Sequence, residues 1–448
     1  MRKILARLPV FFFLFALAAN GREPMRVLNH PQTGRPVQYS GLPNDLRQVM
    51  LPLRYSAKRW EFRGIWVATY ANMDFPRTAS AEQFQRDYSR MIQQIKAAGF
   101  NAVFFQIRPC SDAFYNSGIH PFSRFIRGTE GLGYTQFDIL GYMIQETHRQ
   151  GLQFHAWLNP YRIAGITRLT RTQYLNTLSP NNFARKNPDA VLAIPIAGGT
   201  TLLLNPGLPQ VRQHLLATVR EIIQKYHPDS IHFDDYFYPY NYQGKEDYST
   251  YRKFNRDPGV SIEEWRRRNV TQMVREVSAL IRSNNRMQRK NIRFGISPFG
   301  IWRNRASSAL GSPTRGNESY QSNYSDTWTW VRNNWIDYII PQLYWKFAHP
   351  KAPYACLADW WADTVSGTNV KLYIGHGAHL TFSAGDADEL KNQLLFNSRR
   401  VQISGSVFYS YSRIFHPDSL LRRSVAERVI YDCWRGTLPP LPKKGTVR

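Results

Sequence analysis

Asp229-Ser230-Ile231-His232-Phe233-Asp234-Asp235-Tyr236-Phe237-Tyr238-Pro239-Tyr240 is the stretch around which the rest of the chain arranges itself. Ser230 to Phe233 reads as a short buried strand, and it ends in two adjacent carboxylates followed by four aromatic rings and a proline. Two neighbouring carboxylates repel each other, so at least one has a perturbed proton affinity, an arrangement suited to proton transfer. The rings offer flat apolar faces of the kind on which sugars stack. The structural alternative is an aspartate that caps the next helix beside a surface loop.

Outward from this strand the chain repeats one pattern. Phe62–Thr69, Asn101–Ile107, Gln153–Leu158, Ser230–Phe233, Ile292–Ile296, Tyr338–Leu343, Lys371–Gly375 and Gly405–Tyr409 read as strands. A helix or long connection follows each one: residues 80–98, 137–149, 210–226, 262–281, 326–334, 356–365, 389–399 and 418–431 carry the helical periodicity. Residues 160–208 form the longest connection, read as turns plus the apolar run Thr201–Leu204. Eight such units predict an α/β (β/α)8 TIM barrel, a single large catalytic domain over residues 59–432 with long βα loops. Residues 20–58 read as a linker or an ordered wrap, and 433–448 as a tail.

In such a barrel the active site lies where strands hand over to their helices. Polar and aromatic residues gather there: Gln106 and Arg108; His155, Trp157 and Asn159; Asp234, Asp235 and Tyr236; Ser297 and Trp302; Gln342, Tyr344 and Trp345; His376; Tyr409. Each also has a structural reading. His155 either binds sugar or satisfies a buried neighbour. Arg108 pairs either with a substrate carboxylate or with one of the two aspartates. Trp157, Trp302 and Trp345 are stacking platforms or core. Asp74 stands among turn formers, where an Asx turn is the commoner explanation. His376 and His379 lack a third ligand at suitable spacing, so no metal is expected, and nothing calls for a cofactor.

Composition narrows the partner. The 43% hydrophobic and 14% aromatic content argues for a packed globular protein, and the formal charge of +26, from 58 basic against 32 acidic residues, favours an anionic polymer. No nucleic-acid-binding signature accompanies that charge, so nucleic acid is not expected. A basic start, Met1 to Arg7, runs into the apolar Leu8–Ala19, the layout of a secretory signal over residues 1–19. The protein is therefore expected to be exported to the periplasm or cell envelope. No cysteine lies near residue 19 to carry a lipid, which leaves membrane association open. Cys110, Cys356 and Cys433 are odd in number, distant in sequence, and read as buried thiols.

Several long motifs occur in order: Glu61-Phe62-Arg63-Gly64-Ile65-Trp66-Val67-Ala68, Phe154-His155-Ala156-Trp157-Leu158-Asn159-Pro160-Tyr161-Arg162, Leu204-Asn205-Pro206-Gly207, Ile231 to Pro239, and Phe294 to Trp302. Over residues 58–430 the chain resembles the bacterial glycosyl-hydrolase-like family 10 proteins of the cell envelope. The resemblance implies a (β/α)8 glycoside hydrolase with peptidoglycan glycan strands as the favoured, anionic substrate. Carboxylates that flank a scissile bond stand about 5 Å apart for retention or about 6.5–9.5 Å for inversion, and no second acid of equal quality is evident at the sixth strand. That favours substrate-assisted hydrolysis by the sugar's own N-acetyl group. The Phe-Asp-Asp ending is similar to that of N-acetylglucosaminidases using this chemistry. By that likeness Asp234 holds the acetamide, Asp235 is general acid/base and Tyr344 stabilises the oxazoline oxygen. The alternatives are hydrolysis of another polysaccharide through an aspartate nucleophile, and a non-catalytic glycan-binding barrel.

Overall fold

Apolar runs bounded by turn residues become the staves of a closed barrel. The computed structural model describes residues 24–380 and 382–437, so the expected signal segment and the end of the tail lie outside the described residues. The strands are β1 (Phe62–Val67), β2 (Ala102–Arg108), β3 (Gln153–Leu158), β4 (Ser230–Phe233), β5 (Arg293–Ile296), β6 (Tyr338–Ile339), β7 (Lys371–Gly377) and β8 (Ile403–Tyr409). All pair in parallel in chain order, and β8 closes on β1. The principal helices that follow them are α1 (Ala81–Ala97), α2 (Ile139–Arg149), α3 (Pro209–Lys225), α4 (Ile262–Gln288), α5 (Thr327–Arg332), α6 (Tyr354–Val365), α7 (Glu389–Ser398) and α8 (Leu420–Val429). Ser80 starts α1 by accepting from the Gln83 backbone N–H, and Gly99, at φ +86°, lets the chain turn out of it.

Alternation along each strand sends one set of side chains inward. Phe62, Trp66, Phe104, Trp157, Tyr338, Tyr373 and Val407 fill the barrel, while the opposite faces pack on the helices. The interior also holds a polar network. The Ser230 hydroxyl contacts His155 Nδ1 at 2.6 Å and Tyr338 at 2.8 Å, and His232 Nε2 lies 3.0 Å from Ser297 Oγ. Burial drives the proton affinity of His232 down to about 3, so this network is uncharged.

Large rings need small neighbours. A Cβ on Gly405 would lie 2.0 Å from the Phe62 carbonyl oxygen, a backbone atom held in the β8–β1 ladder. Gly405→Ala is expected to destabilise the barrel by at least about 1–3 kcal/mol, read as a lowered thermal midpoint by circular dichroism.

Three features depart from the expected pattern. The connection 160–208 contains a three-stranded antiparallel sheet, Arg162–Thr167, Gly199–Leu204 and Val191–Ile196, that stands over the barrel mouth. Strand β6 stops at Ile339 rather than Leu343, with Pro341 two residues on. Past α8 the chain continues in one wide turn, Ile430–Trp434, and buries Trp434 against Phe100, with ring centroids 5.0 Å apart. The expected tail therefore begins inside the packed body.

Residues 24–58 are ordered. Met25–Val27 pairs with Met50–Pro52, and Leu28, Val37, Val49 and Leu51 are buried. The Tyr39 hydroxyl donates to Asp359 of α6, and Arg26 donates to Asn392 of α7. All three cysteines are buried and free. Among the described residues no helix is long and apolar enough to cross a membrane.

Candidate active site

Ser230 and His232 of β4 and Asp234, the residue just past its end, share the inward-facing parity, so Asp234 is the rim layer of a stack whose deeper members are the neutral network. Its Oδ2 accepts from Trp157 Nε1 at 3.1 Å and Asn159 Nδ2 at 3.0 Å, both from β3 and its exit. Its Oδ1 accepts from the Tyr236 backbone N–H at 3.3 Å. The Arg162 guanidinium stands 3.7 Å away, sandwiched over the rings of Tyr70 (4.8 Å) and Tyr236 (4.4 Å). Burial raises the proton affinity of Asp234; Arg162 and these donors oppose the rise.

Asp235 is held differently. Its backbone carbonyl accepts from Asn323 Nδ2 at 2.9 Å, which fixes the turn after β4. Burial, reinforced by the charge of Asp234, pushes its carboxyl up to about 7, against a smaller opposing contribution from the Gln342 amide. One of two adjacent acids is thus held ready to carry a proton at neutral pH, while its neighbour is surrounded by donors.

Both open into a cleft of about 580 Å³ at the barrel mouth. Trp66, Gln106 and Trp157 line its base; Tyr70, Tyr236, Tyr344 and Tyr409 line its sides; Ile166 and Leu202 of the small sheet close one flank. Among the described residues lining it, Asp234 and Asp235 are the only carboxylates. Arg162 contributes to holding the pair's affinity down, so Arg162→Met is expected to shift the pair's titration upward by about one unit or more. The alkaline limb of the pH–rate profile would then move to higher pH.

The structure brings nine of the expected site residues to this cleft: Gln106, Trp157, Asp234, Asp235, Tyr236, Ser297, Gln342, Tyr344 and Tyr409. Asn159 stands behind it, on Asp234. Five expected binders lie elsewhere. Arg108 follows a register shift in the β2–β3 ladder that turns it away, and its guanidinium donates to the Asn159 carbonyl at 2.5 Å; Arg162 takes the place expected for it beside the aspartates. His155 lies one layer too deep, against Ser230 and Tyr338. His376 has the outward parity of β7 and contacts Gln393 of α7 at 2.8 Å. Trp302, in the loop after β5, donates to Asp326 at 3.0 Å and stacks on Trp328 and Trp360. Trp345 faces a separate pocket. Asp74 ties loops together, accepting from the Ala68 N–H at 2.8 Å, Ser410 Oγ at 2.8 Å and the Ser412 N–H at 2.9 Å.

Trp66, Tyr70, Arg162 and His379 also line the cleft and are not among the expected site residues, and Tyr240, one of the four rings after the acid pair, reaches it too. For Arg162 a signal existed. It lies three residues beyond Asn159, whose side-chain oxygen accepts its backbone N–H at 3.0 Å, a local turn that sequence spacing permits.

Comparison with known proteins shows the family and the fold. The family described as Glycosyl hydrolase-like 10 matches residues 61–388. Glycosyl hydrolase YngK of Bacillus subtilis is 37% identical over 360 residues, covering 78% of this chain and 68% of that protein. Glycosyl hydrolase DigH of Escherichia coli K12 is 34% identical over 380 residues, covering 80% of this chain and 84% of that protein. Among solved structures, the PgaB (BpsB) glycoside hydrolase domain from Bordetella bronchiseptica superposes with a TM-score of 0.51 at 13% identity, over 83% of this chain and 98% of that one, a likeness of fold. With a family match across most of the barrel and two relatives above 30% identity, this chain belongs to the Glycosyl hydrolase-like 10 family and is a glycoside hydrolase.

Proposed function

We propose that the cleft hydrolyses a glycan containing N-acetylhexosamine, with peptidoglycan strands as substrate, by substrate-assisted catalysis. The observation that carries this reading is that the only carboxylates lining the cleft, among the described residues, are adjacent in sequence and unlike in environment. Conventional hydrolysis wants two acids flanking the sugar. Successive residues at one strand end serve better as a pair acting on one side, with the substrate supplying the nucleophile.

In the first step the acetamide oxygen attacks the anomeric carbon, the glycosidic C–O bond breaks, and Asp235 gives its proton to the departing oxygen. Asp234, ionised beside Arg162, accepts the acetamide N–H and stabilises the positive charge growing on the oxazoline. The Tyr344 hydroxyl, which also lines the cleft, donates to the acetamide oxygen. In the second step Asp235, now a carboxylate, takes a proton from water as that water attacks the anomeric carbon and the oxazoline reopens. The two displacements together retain configuration. Trp157, Tyr236 and Tyr409 supply the faces on which the sugar rests. No cofactor enters these steps. The charge of +26 suits an anionic envelope polymer, and the expected leader suits export to it.

Digestion of purified peptidoglycan glycan chains by wild type, Asp234→Asn and Asp235→Asn, with product masses read at the reducing end, tests the reading. Wild type should release N-acetylhexosamine-terminated fragments and be blocked by a thiazoline analogue of the oxazoline. Cleavage that is indifferent to the thiazoline would point instead to an aspartate nucleophile.

A further inference from the structure

A second pocket, of about 620 Å³, lies beside the catalytic cleft, and Tyr344 lines both. Its near wall is the loop after β6. Tyr344 contributes to the cleft while Trp345, the next residue, faces the second pocket alone. His379 and Leu380 divide in the same way after β7. Its far wall is the N-terminal segment, including Leu28, His30 and Val37, so the pocket exists only because residues 24–58 fold back onto the barrel.

Aromatic rings join the two spaces. Tyr236 and Tyr240 line the cleft and are 46% and 37% exposed, with centroids 6.1 Å apart. Tyr240 meets Phe299 at 5.5 Å, and Phe299 meets Trp345 at 5.3 Å; both of these are half-buried. Trp345 then meets His349, which lines the second pocket, at 6.2 Å. Successive rings meet edge to face, at interplanar angles of 65°, 62° and 85°, so the row forms one partly exposed apolar wall from the cleft to the second pocket, longer than one small ligand would need.

The charges in the second pocket are largely matched within the protein. Lys346 pairs with Asp386, Asp388 pairs with Arg428 at 2.7 Å, and Glu389 accepts from the Phe347 N–H at 3.0 Å. A site of internally paired charges and partly exposed rings suits uncharged sugar hydroxyls and pyranose faces better than a free ion.

We propose that the second pocket is a distal subsite for the same glycan chain, holding sugar units several residues from the scissile bond with Trp345 as their stacking platform. This rests on the glycosidase reading of the cleft and adds a substrate class to it: extended polymer rather than short oligosaccharide. Binding of a long chain at both spaces places the catalytic pair at an internal linkage.

The test compares kcat/KM on N-acetylhexosamine oligosaccharides of increasing length for wild type, Trp345→Ala and Trp345→Phe. In wild type kcat/KM should climb with length until the chain spans both pockets. In Trp345→Ala the long-to-short ratio should fall by roughly 5–20-fold, and Trp345→Phe should restore much of it. No length dependence in wild type, or an equal loss on short and long chains in Trp345→Ala, would overturn the proposal. A parallel measurement separates it from the catalytic reading: co-sedimentation of Asp235→Asn, with and without Trp345→Ala, on insoluble glycan polymer. If wild type cleaves nothing yet retention depends on Trp345, the distal site stands while the catalytic reading falls; retention independent of Trp345 sinks the distal site.

Discussion

Asp235→Asn is expected to lower kcat/KM on N-acetylhexosamine glycan by about 10²- to 10⁴-fold, the usual contribution of a positioned acid/base. Asparagine keeps the shape and can neither give the leaving oxygen a proton nor take one from water. Asp235 must be protonated for the first step, so the wild-type rate should fall as pH rises through about 7. Asp234→Asn removes the charge that helps hold that proton, and its residual activity should lose the alkaline limb at lower pH than wild type. Stability moves the other way. The folded affinity of Asp235 lies above its ordinary value of 3.8, so its favourable contribution is complete below about pH 4 and is lost as pH rises through 7. Asparagine does not ionise. Asp235→Asn should therefore melt above wild type at pH 8, by on the order of 2–4 kcal/mol, and the gap should close by pH 4. A variant that is less active and equally stable at both pH values would contradict the assignment.

The largest purely structural effect is expected at Arg266. This α4 side chain is almost wholly buried against the equally buried Asp247, with Nη2 at 2.5 Å and Nε at 2.9 Å from its two oxygens. It also donates to the Tyr324 hydroxyl at 2.8 Å and the Gly244 carbonyl at 2.6 Å, and its guanidinium lies 4.4 Å from the Tyr242 ring centroid. These contacts pin the loop that follows the catalytic pair. Arg266→Met leaves the Asp247 carboxylate buried without its cation, a loss of about 3–5 kcal/mol by denaturant titration. Because the loop carries Tyr236 and Tyr240 into the cleft, KM should rise in the surviving folded fraction. The paired change Arg266→Met with Asp247→Leu should recover much of the stability, since removing both charges removes the penalty of stranding one.

Most of the barrel was legible in the chain, because burial on both faces of a parallel strand writes a continuous apolar run and each helix carries its own caps. The eight strands and helices fall within a few residues of expectation, except that α4 runs on from the expected end at Ile281 to Gln288, and the acid pair directly follows the fourth strand. The small sheet at the mouth was missed although Gly198 and Gly199 stand between two apolar runs, a hairpin signal in plain view. Pro195 interrupts one of its strands and Gly165 another, which breaks the residue pattern that marks a strand.

Residue types at strand ends were thus fixed by the sequence alone, as were the fold class, the neighbouring acids and the wealth of aromatic rings beside them. What only the tertiary structure decided was depth and direction. A one-residue bulge turns Arg108 out of the site, one step of strand parity sends His376 to the helix layer, and one layer of depth makes His155 part of a neutral core. The same packing brings Arg162 to Asp234 and leaves Asp235 with Asp234's charge and little to offset it. Proton affinity depends on what surrounds a group in space, and for these two acids the deciding neighbours come from β3, its exit loop and the turn after β6.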